Sequence, residues 1–509
     1  MSTYSLILSR IQQIMKKYLP VILVLATVKF VIQWLGNRNY GFHRDELLHL
    51  SVSEHLDWGF MEFPPFIAFV GKLSYWLFDY DLLGVRLFPT LAGVTILVLC
   101  CFMAKDLGGK FRAVLLAGIC ILAFVPFYRN HTLFQPVAFD QLFWTLGFYF
   151  LIKFINSKNK RFLILTGITI GFGLLNKYTM LVWAFGIFIG LLFYKKADLY
   201  KNKWLYISGI IALILFLPNI LWQFNHDFPL VRHMQRLNES QLDAISPWKF
   251  ILDQVEMAPI FLMFLFGFTG LLFSKKLKAF QFLGIACLVI FFTMWLAGAK
   301  TYYIFALYPI LFSAGAVFIE HLLVKRLNLV YAVAGFVLLP MVYFIPEATP
   351  MLPIEQFVKY KGLEEVNGRY ELTGDYADMF GWEEQVKLVD SVYQSLSQAE
   401  RANCILWAEN YGEAGALKIL GKSYDLPNPI CRHGSFWSWG FGKKEASVWI
   451  SLGNERPSVE HVFEDIELVK MITHNYAIDE EHNIPLYICR QPKVDIEAWW
   501  NAYEPYIFD

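Results

Sequence analysis

Charge is what this chain is short of. Of its 509 residues only 17% are Asp, Glu, Lys or Arg, and the net charge is close to neutral at +1. Near-neutrality leaves no basic footprint for nucleic acid, so no nucleic-acid partner is expected. Cysteine is scarce as well, with 7 in all. Four fall in apolar runs, where they pack, and three lie near the C-terminus: Cys404, Cys431 and Cys489. Those three allow either one disulfide or three buried thiols. There is no internal repeat, no low-complexity tract, no HExxH motif and no cysteine ligand set. Solenoids and the common zinc-site signatures are thereby excluded. The space left by charge is filled with apolar residues: 56% hydrophobic, 17% aromatic, mean hydropathy +0.43. That balance belongs to an α-helical polytopic membrane protein.

Apolar runs long enough to cross a bilayer centre near residues 27, 95, 120, 145, 168, 186, 213, 262, 288, 312 and 335, which predicts about eleven transmembrane helices. Basic clusters occupy alternate gaps: Lys16 and Lys17; Lys105, Lys110 and Arg112; Lys153, Lys158, Lys160 and Arg161; Lys195, Lys196, Lys201 and Lys203; Lys275, Lys276 and Lys278; Lys325 and Arg326. The positive-inside rule makes those gaps cytoplasmic. The gaps at 36–82, 129–135, 176–178, 223–249 and 298–302 then face outward, and so does everything after about residue 346. The first run lacks a small-residue cleavage site and reads as a retained anchor.

After Pro346 the composition changes. The linker EATPMLPIEQF precedes alternating helix and strand patterns: a helix over 381–400 and strands at 403–409, 446–453 and 485–491. Two domains are expected, a transmembrane domain over 1–346 and a small extracytoplasmic α/β domain over 347–509.

The polar exception to the first half is GFHRDELLHL, residues 41–50, in the first outward loop. HRDELLHLSVSEHL reads as one short helix and PPFIAFVGKLSYWLF, 64–78, as a second begun by proline; both are too short or too polar to span and are expected to lie along the membrane interface. Asp45 and Glu46 are neighbours, so on a helix they point about 100° apart and cannot serve one reacting atom. One of the two can act as a base and the other is structural; Asp45 at a helix start also suits a simple dipole role. Lys177 is the single charge between two apolar runs, placed either for function or to reach headgroups. Lys300, with Tyr302 and Tyr303, offers a charge and hydroxyls at a span entrance, a grouping that suits a phosphate oxyanion. Arg44, Arg129 and Arg232 are further candidates for a phosphate, and Asp140 is an acid at the mouth of the fourth span that would pair with a cation or support the base. His43, Asp45, His49 and His55 are the one grouping with the chemistry of a metal site, Asp45 and His49 standing four apart on one helical face. Lys and Arg can do the same electrostatic work, so no metal cofactor is required. Trp58, Trp76 and Trp222 could stack on a sugar or simply anchor the interface.

RDELLHL, then HLDWGFMEFPPF and RLFPTLAG, resemble the first outward loop of the dolichyl-phosphate-mannose protein mannosyltransferases, glycosyltransferase family 39, and their bacterial polyprenyl-phosphate-sugar relatives. FDQLFWTLGFYFLI, GFGLLNKYTMLVW and GAKTYYIFALYPIL continue the likeness, and AENYGEAGAL and HGSFWSWG resemble the tail of a bacterial subset. The resemblance implies a C-type membrane glycosyltransferase fold and transfer of a sugar from a polyprenyl-phosphate carrier at the outer face of a bacterial inner membrane. It carries the role of general base over to Asp45, with Glu46 as second acid of the paired motif; His49, on the same helix, and Asp140 are expected to support the site. Arg44, Arg129, Lys177, Lys300, Tyr302 and Tyr303 are then the carrier-phosphate candidates. The implied partners are the lipid-linked sugar, membrane lipids, and an acceptor that is a protein, a lipid or a glycan. A transporter or envelope-assembly scaffold would also be polytopic. The ionisable residues gather at span edges and no halves match, which weighs against a transporter.

Overall fold

In the computed structural model of the protein all residues are described except 1–2, 195–198, 238, 240–245, 258, 443–445 and 503–509. Lys195 and Lys196, and part of the predicted 223–249 gap, thus lie outside the described residues. Helices cover every one of the eleven predicted centres. Among the described residues seven are long and apolar enough to span, from Lys17–Gly36 to Leu329–Ala348, and nine if each bent pair counts as one. The bent pairs are Phe111–Ala123 with Pro126–Thr132, at 69°, and Pro247–Glu256 with Ile260–Phe273, at 105°. The count of eleven is not reached because Arg161–Asn176 and Thr179–Leu192, though apolar, are short. At 1.5 Å per residue they rise only about 24 and 21 Å, below the roughly 30 Å hydrocarbon core. The chain is an integral, multi-pass membrane protein.

Contacts divide the chain into two compact units, each drawn from three stretches: 1–36, 86–225 and 238–349 in the first, 37–85, 226–237 and 350–509 in the second. The sequence reading drew a single boundary near residue 346. The physical reason for the different grouping lies in the first outward loop, whose helix Arg44–Val52 packs on the tail helix Tyr411–Ile419.

The first unit is all helix. Its interfaces use small residues where backbones approach, as membrane helices must when lipid is as apolar as leucine. At the crossing of Ile260–Phe273 with Tyr308–Leu322, a Cβ added to Gly267 would stand 2.2 Å from the Leu311 carbonyl oxygen, and one added to Gly315 2.6 Å from that of Met263.

In the second unit the two predicted loop helices are present as Arg44–Val52 and Phe66–Phe78. The second exposes Phe69, Leu73, Trp76 and Leu77 along one side. A two-stranded ribbon, β1 (Glu365–Val366) with β2 (Arg369–Tyr370), precedes the main sheet. That sheet comprises β3 (Cys404–Ala408), β4 (Pro429–Ile430), β5 (Val448–Leu452), β6 (Phe463–Ile472) and β7 (Ile484–Pro492), in the order β4-β3-β5-β7-β6. β3 pairs parallel with β4 and β5, whereas β5–β7 and β6–β7 are antiparallel. The central strands CILWA and VWISL are buried throughout, as the continuous apolar runs require. Trp407, Trp449 and Trp499 pack edge to face over this sheet. Cys404, Cys431 and Cys489 are buried free thiols.

Candidate active site

The structure sorts the predicted site residues into two groups, one within each unit. The first is built on the helix Arg44–Val52. His43, in extended conformation, is its N-cap: Nδ1 accepts from the Asp45 N–H at 3.1 Å, while the His43 N–H donates to Glu46 Oε2 at 2.9 Å. This capping box satisfies donors that a helix start leaves open, and Glu46 is fully buried in making it. Glu46, predicted as a second catalytic acid, is thus engaged in the helix cap. Arg44, predicted to hold phosphate, is instead held by carboxylates: Nε lies 2.7 Å from Asp378 Oδ1, Nη1 2.9 Å from Glu480 Oε2 and Nη2 3.8 Å from Glu481 Oε1. Guanidinium charge answered by three acids is a poor phosphate hook. The local geometry thus uses both neighbours of Asp45 for architecture.

Asp45 itself is half-buried, and the Tyr411 hydroxyl donates to its Oδ1 at 3.1 Å. Burial and the nearby Asp45 charge hold the Tyr411 phenol well above its ordinary pKa, so it stays a donor. Tyr411 opens the tail helix, which Asn410 caps by accepting from the N–H groups of Gly412 and Glu413 at 2.8 and 3.1 Å. The two helices approach closely because Gly412 and Gly415 carry no side chain: a Cβ at 415 would lie 2.8 Å from Leu47 Cβ. Behind them sit buried acids. Burial, then the negative neighbours Glu481 and Glu409, pushes the Glu413 carboxyl well above the usual range. Glu481 is raised by burial too, although it accepts from Asn410 Nδ2 and Gln385 Nε2 at 2.8 and 2.9 Å. Two of the quoted motifs also meet: Glu62 accepts from the Ser435 N–H and hydroxyl, both at 2.6 Å.

The histidines do not converge. His43 Nε2 faces Asp378 at 3.5 Å, His49 is buried against the Phe63 ring at 4.8 Å, and His55 stacks on Trp439 at 4.0 Å. Among the described residues no three His, Cys, Asp or Glu side chains are grouped to hold a metal ion.

The second group belongs to the helical unit. Lys177 occupies the extended break between Arg161–Asn176 and Thr179–Leu192. Its ammonium lies 3.8 Å from the Tyr303 ring centre and 5.4 Å from that of Tyr302. The Arg129 guanidinium stands 5.8 Å from the Tyr302 ring and donates to Gln135 Oε1 at 3.4 Å. Tyr302 and Tyr303 are perpendicular, 4.7 Å apart, on a tight turn, Thr301–Leu307, that Lys300 heads. Asp140 is buried and accepts from the Thr179 hydroxyl at 2.9 Å, which ties it to the residue two beyond Lys177. Four predicted residues from three separate stretches of chain are thus brought together here: Arg129, Lys177, Tyr302 and Tyr303. Arg232, predicted with them, lies in the other unit.

Sequence reasoning missed Tyr411, Asp378 and Glu481. The string AENYGEAGAL does announce a helix start through its Asn-x-x-Glu spacing, but nothing local ties it to an aspartate 366 residues earlier.

The family model for dolichyl-phosphate-mannose-protein mannosyltransferase matches residues 62–222, a stretch that holds Arg129, Asp140 and Lys177. Comparison with characterised proteins by sequence finds no match. Among solved structures the chain is similar to ArnT from Cupriavidus metallidurans in the apo state, at 13% identity and TM-score 0.61, over 92% of this chain and 97% of that one. It is similar to the same protein bound to undecaprenyl phosphate at 12% identity and TM-score 0.60, with the same coverage. At such identities the likeness shows the fold. By family match over 62–222 and by fold over nearly the whole chain, the protein is similar to the C-type membrane glycosyltransferases of the family 39 kind.

Proposed function

We propose that this protein moves a sugar from a polyprenyl-phosphate carrier to a hydroxyl or phosphate acceptor at the outer face of a bacterial inner membrane, inverting the anomeric centre, with Asp45 as general base. The observation that carries this reading is the division of labour around Asp45. Arg44 is engaged by acids and Glu46 by the helix cap, whereas Asp45 keeps partial exposure and an ordered hydroxyl donor. A base must reach its proton, and among these three residues Asp45 is the acid placed to do so. Arg129, Lys177, Lys300, Tyr302 and Tyr303 are assigned to the carrier phosphate. The undecaprenyl phosphate in the similar ArnT structure supports a polyprenyl phosphate as the carrier. The basic gaps support a tail domain outside the cytoplasm.

In the proposed step the acceptor hydroxyl loses its proton to Asp45 as its oxygen bonds the anomeric carbon. The bond from that carbon to the phosphate oxygen breaks, and the electron pair leaves with the carrier phosphate, where lysine, arginine and tyrosine donors take up the charge. One base suffices for a single displacement. The test is turnover of a polyprenyl-phosphate sugar with cell-envelope extract by the wild type and by Asp45→Asn, alongside binding of the carrier to both. Equal turnover would remove Asp45 from the role.

A further inference from the structure

We propose that Tyr411 is a positioning residue for Asp45, and that the tail α/β domain is through it a working part of the catalytic centre. The inference rests on the reading of Asp45 as the base. Its first support is the place of Tyr411 in the sheet. The chain leaves β3 to form β4 on one side and returns to form β5 on the other, so the connections diverge at the carboxyl ends of β3 and β5. That crevice is where open α/β sheets hold their ligands. Here the edge is closed by Asn454, whose Nδ2 donates to the Trp407 and Leu452 carbonyls at 3.3 and 3.1 Å. Tyr411 opens the helix that leaves this edge, and its hydroxyl reaches Asp45 instead of a bound small molecule.

The second support is the precision of the approach. Gly412 and Gly415 lie one turn apart on the tail helix, and a Cβ on either would press on the Asp45 helix, 3.2 Å from Arg44 Cβ and 2.8 Å from Leu47 Cβ. Separation of the helices by a methyl group would carry the hydroxyl out of hydrogen-bond range. The third is chemical. A carboxylate rotates about its last bond unless one oxygen is held; the bond to Oδ1 restrains that rotation. A donor to the charged form also keeps the base ionised at lower pH. The other charged groups near Asp45 are His43 and Arg44 on its own element and Asp375 and Asp378 from the 374–378 segment; on the tail side His433 packs on Tyr411.

The experiment uses the full-length protein in bilayers, with a polyprenyl-phosphate sugar and envelope extract. Tyr411→Phe removes one hydroxyl and leaves the ring. Expected is a fall in kcat of about 10- to 100-fold with KM for the carrier within about twofold. The acid limb of the kcat profile should move up by about one pH unit, because the carboxylate loses a donor. In an Asp45→Asn background the same change should have no further effect on residual turnover. A fall in kcat without the limb shift, or an additive loss in the double variant, would mark Tyr411 as packing and overturn the proposal. So would an unchanged kcat. Full activity of Asp45→Asn alone is a separate result, which removes the base reading and this inference with it.

Discussion

The Asp45 neighbourhood and the Lys177 neighbourhood handle charge in different ways. Around Asp45, cations are answered by acids. Arg44 meets Asp378, Glu480 and Glu481, and Lys418 and Lys422 share Glu54. In the Lys177 neighbourhood cations rest on rings, Lys177 on Tyr303 and Arg129 on Tyr302, whereas elsewhere in the helical unit Lys105 and Lys153 meet Asp106. A cation paired with a carboxylate is neutralised, and removal of one partner leaves the other stranded. A cation on a tyrosine face gains only about 0.5–2 kcal/mol and keeps its full charge for an incoming anion. The comparison teaches why Arg44, the fourth residue of GFHRDE, is an anchor, and it supports the proposal that Lys177 and Arg129 hold a phosphate.

The largest effect that would sharpen this contrast is on Asp45. Its change to Asn should lower turnover by about 10²- to 10⁴-fold, the usual worth of a general base, with carrier binding intact. Arg44→Met should come next and act on stability: with buried Asp378 and Glu481 deprived of the guanidinium, about 3–5 kcal/mol of stability should be lost, read by thermal melting in detergent. A rise in carrier KM without such a loss would break the comparison, since Arg44 would then be a phosphate ligand. Lys177→Met should weaken the carrier by about 1.5–3 kcal/mol, seen as a KM effect that Lys177→Arg partly restores. Last and smallest is a pH effect in the tail. Because the folded Glu413 carboxyl is raised above its ordinary 4.5, the fold favours its neutral form. The stability it contributes is complete below that value and drains away as pH climbs above it. Glu413→Gln should therefore flatten the fall in melting temperature above the ordinary carboxyl range, and raise it on the alkaline side by about 2–4 °C.

Much of the fold was legible because it depends on local pattern. Proline and a polar start announced the loop helices at 44–52 and 66–78, and apolar runs announced the helices over all eleven centres. A lone lysine among apolar residues marked the break at 177, and continuous apolar strings marked β3 and β5. The adjacency of Asp45 and Glu46 already implied separate roles. The likeness to family 39 was legible too, in motifs scattered over some 400 residues of chain.

What remained hidden was pairing. Composition cannot say that Arg44 would meet Glu480, 436 residues away, or that Tyr411 would reach Asp45. The length and polarity of 37–85 did not reveal that it would group with the tail. By itself the sequence determined which segments are helices and which are apolar, because backbone hydrogen bonding and apolar transfer act over a few residues. Only the tertiary structure decided which charges meet acids and which rest on rings, because a partner is chosen by packing across the chain and not by spacing along it.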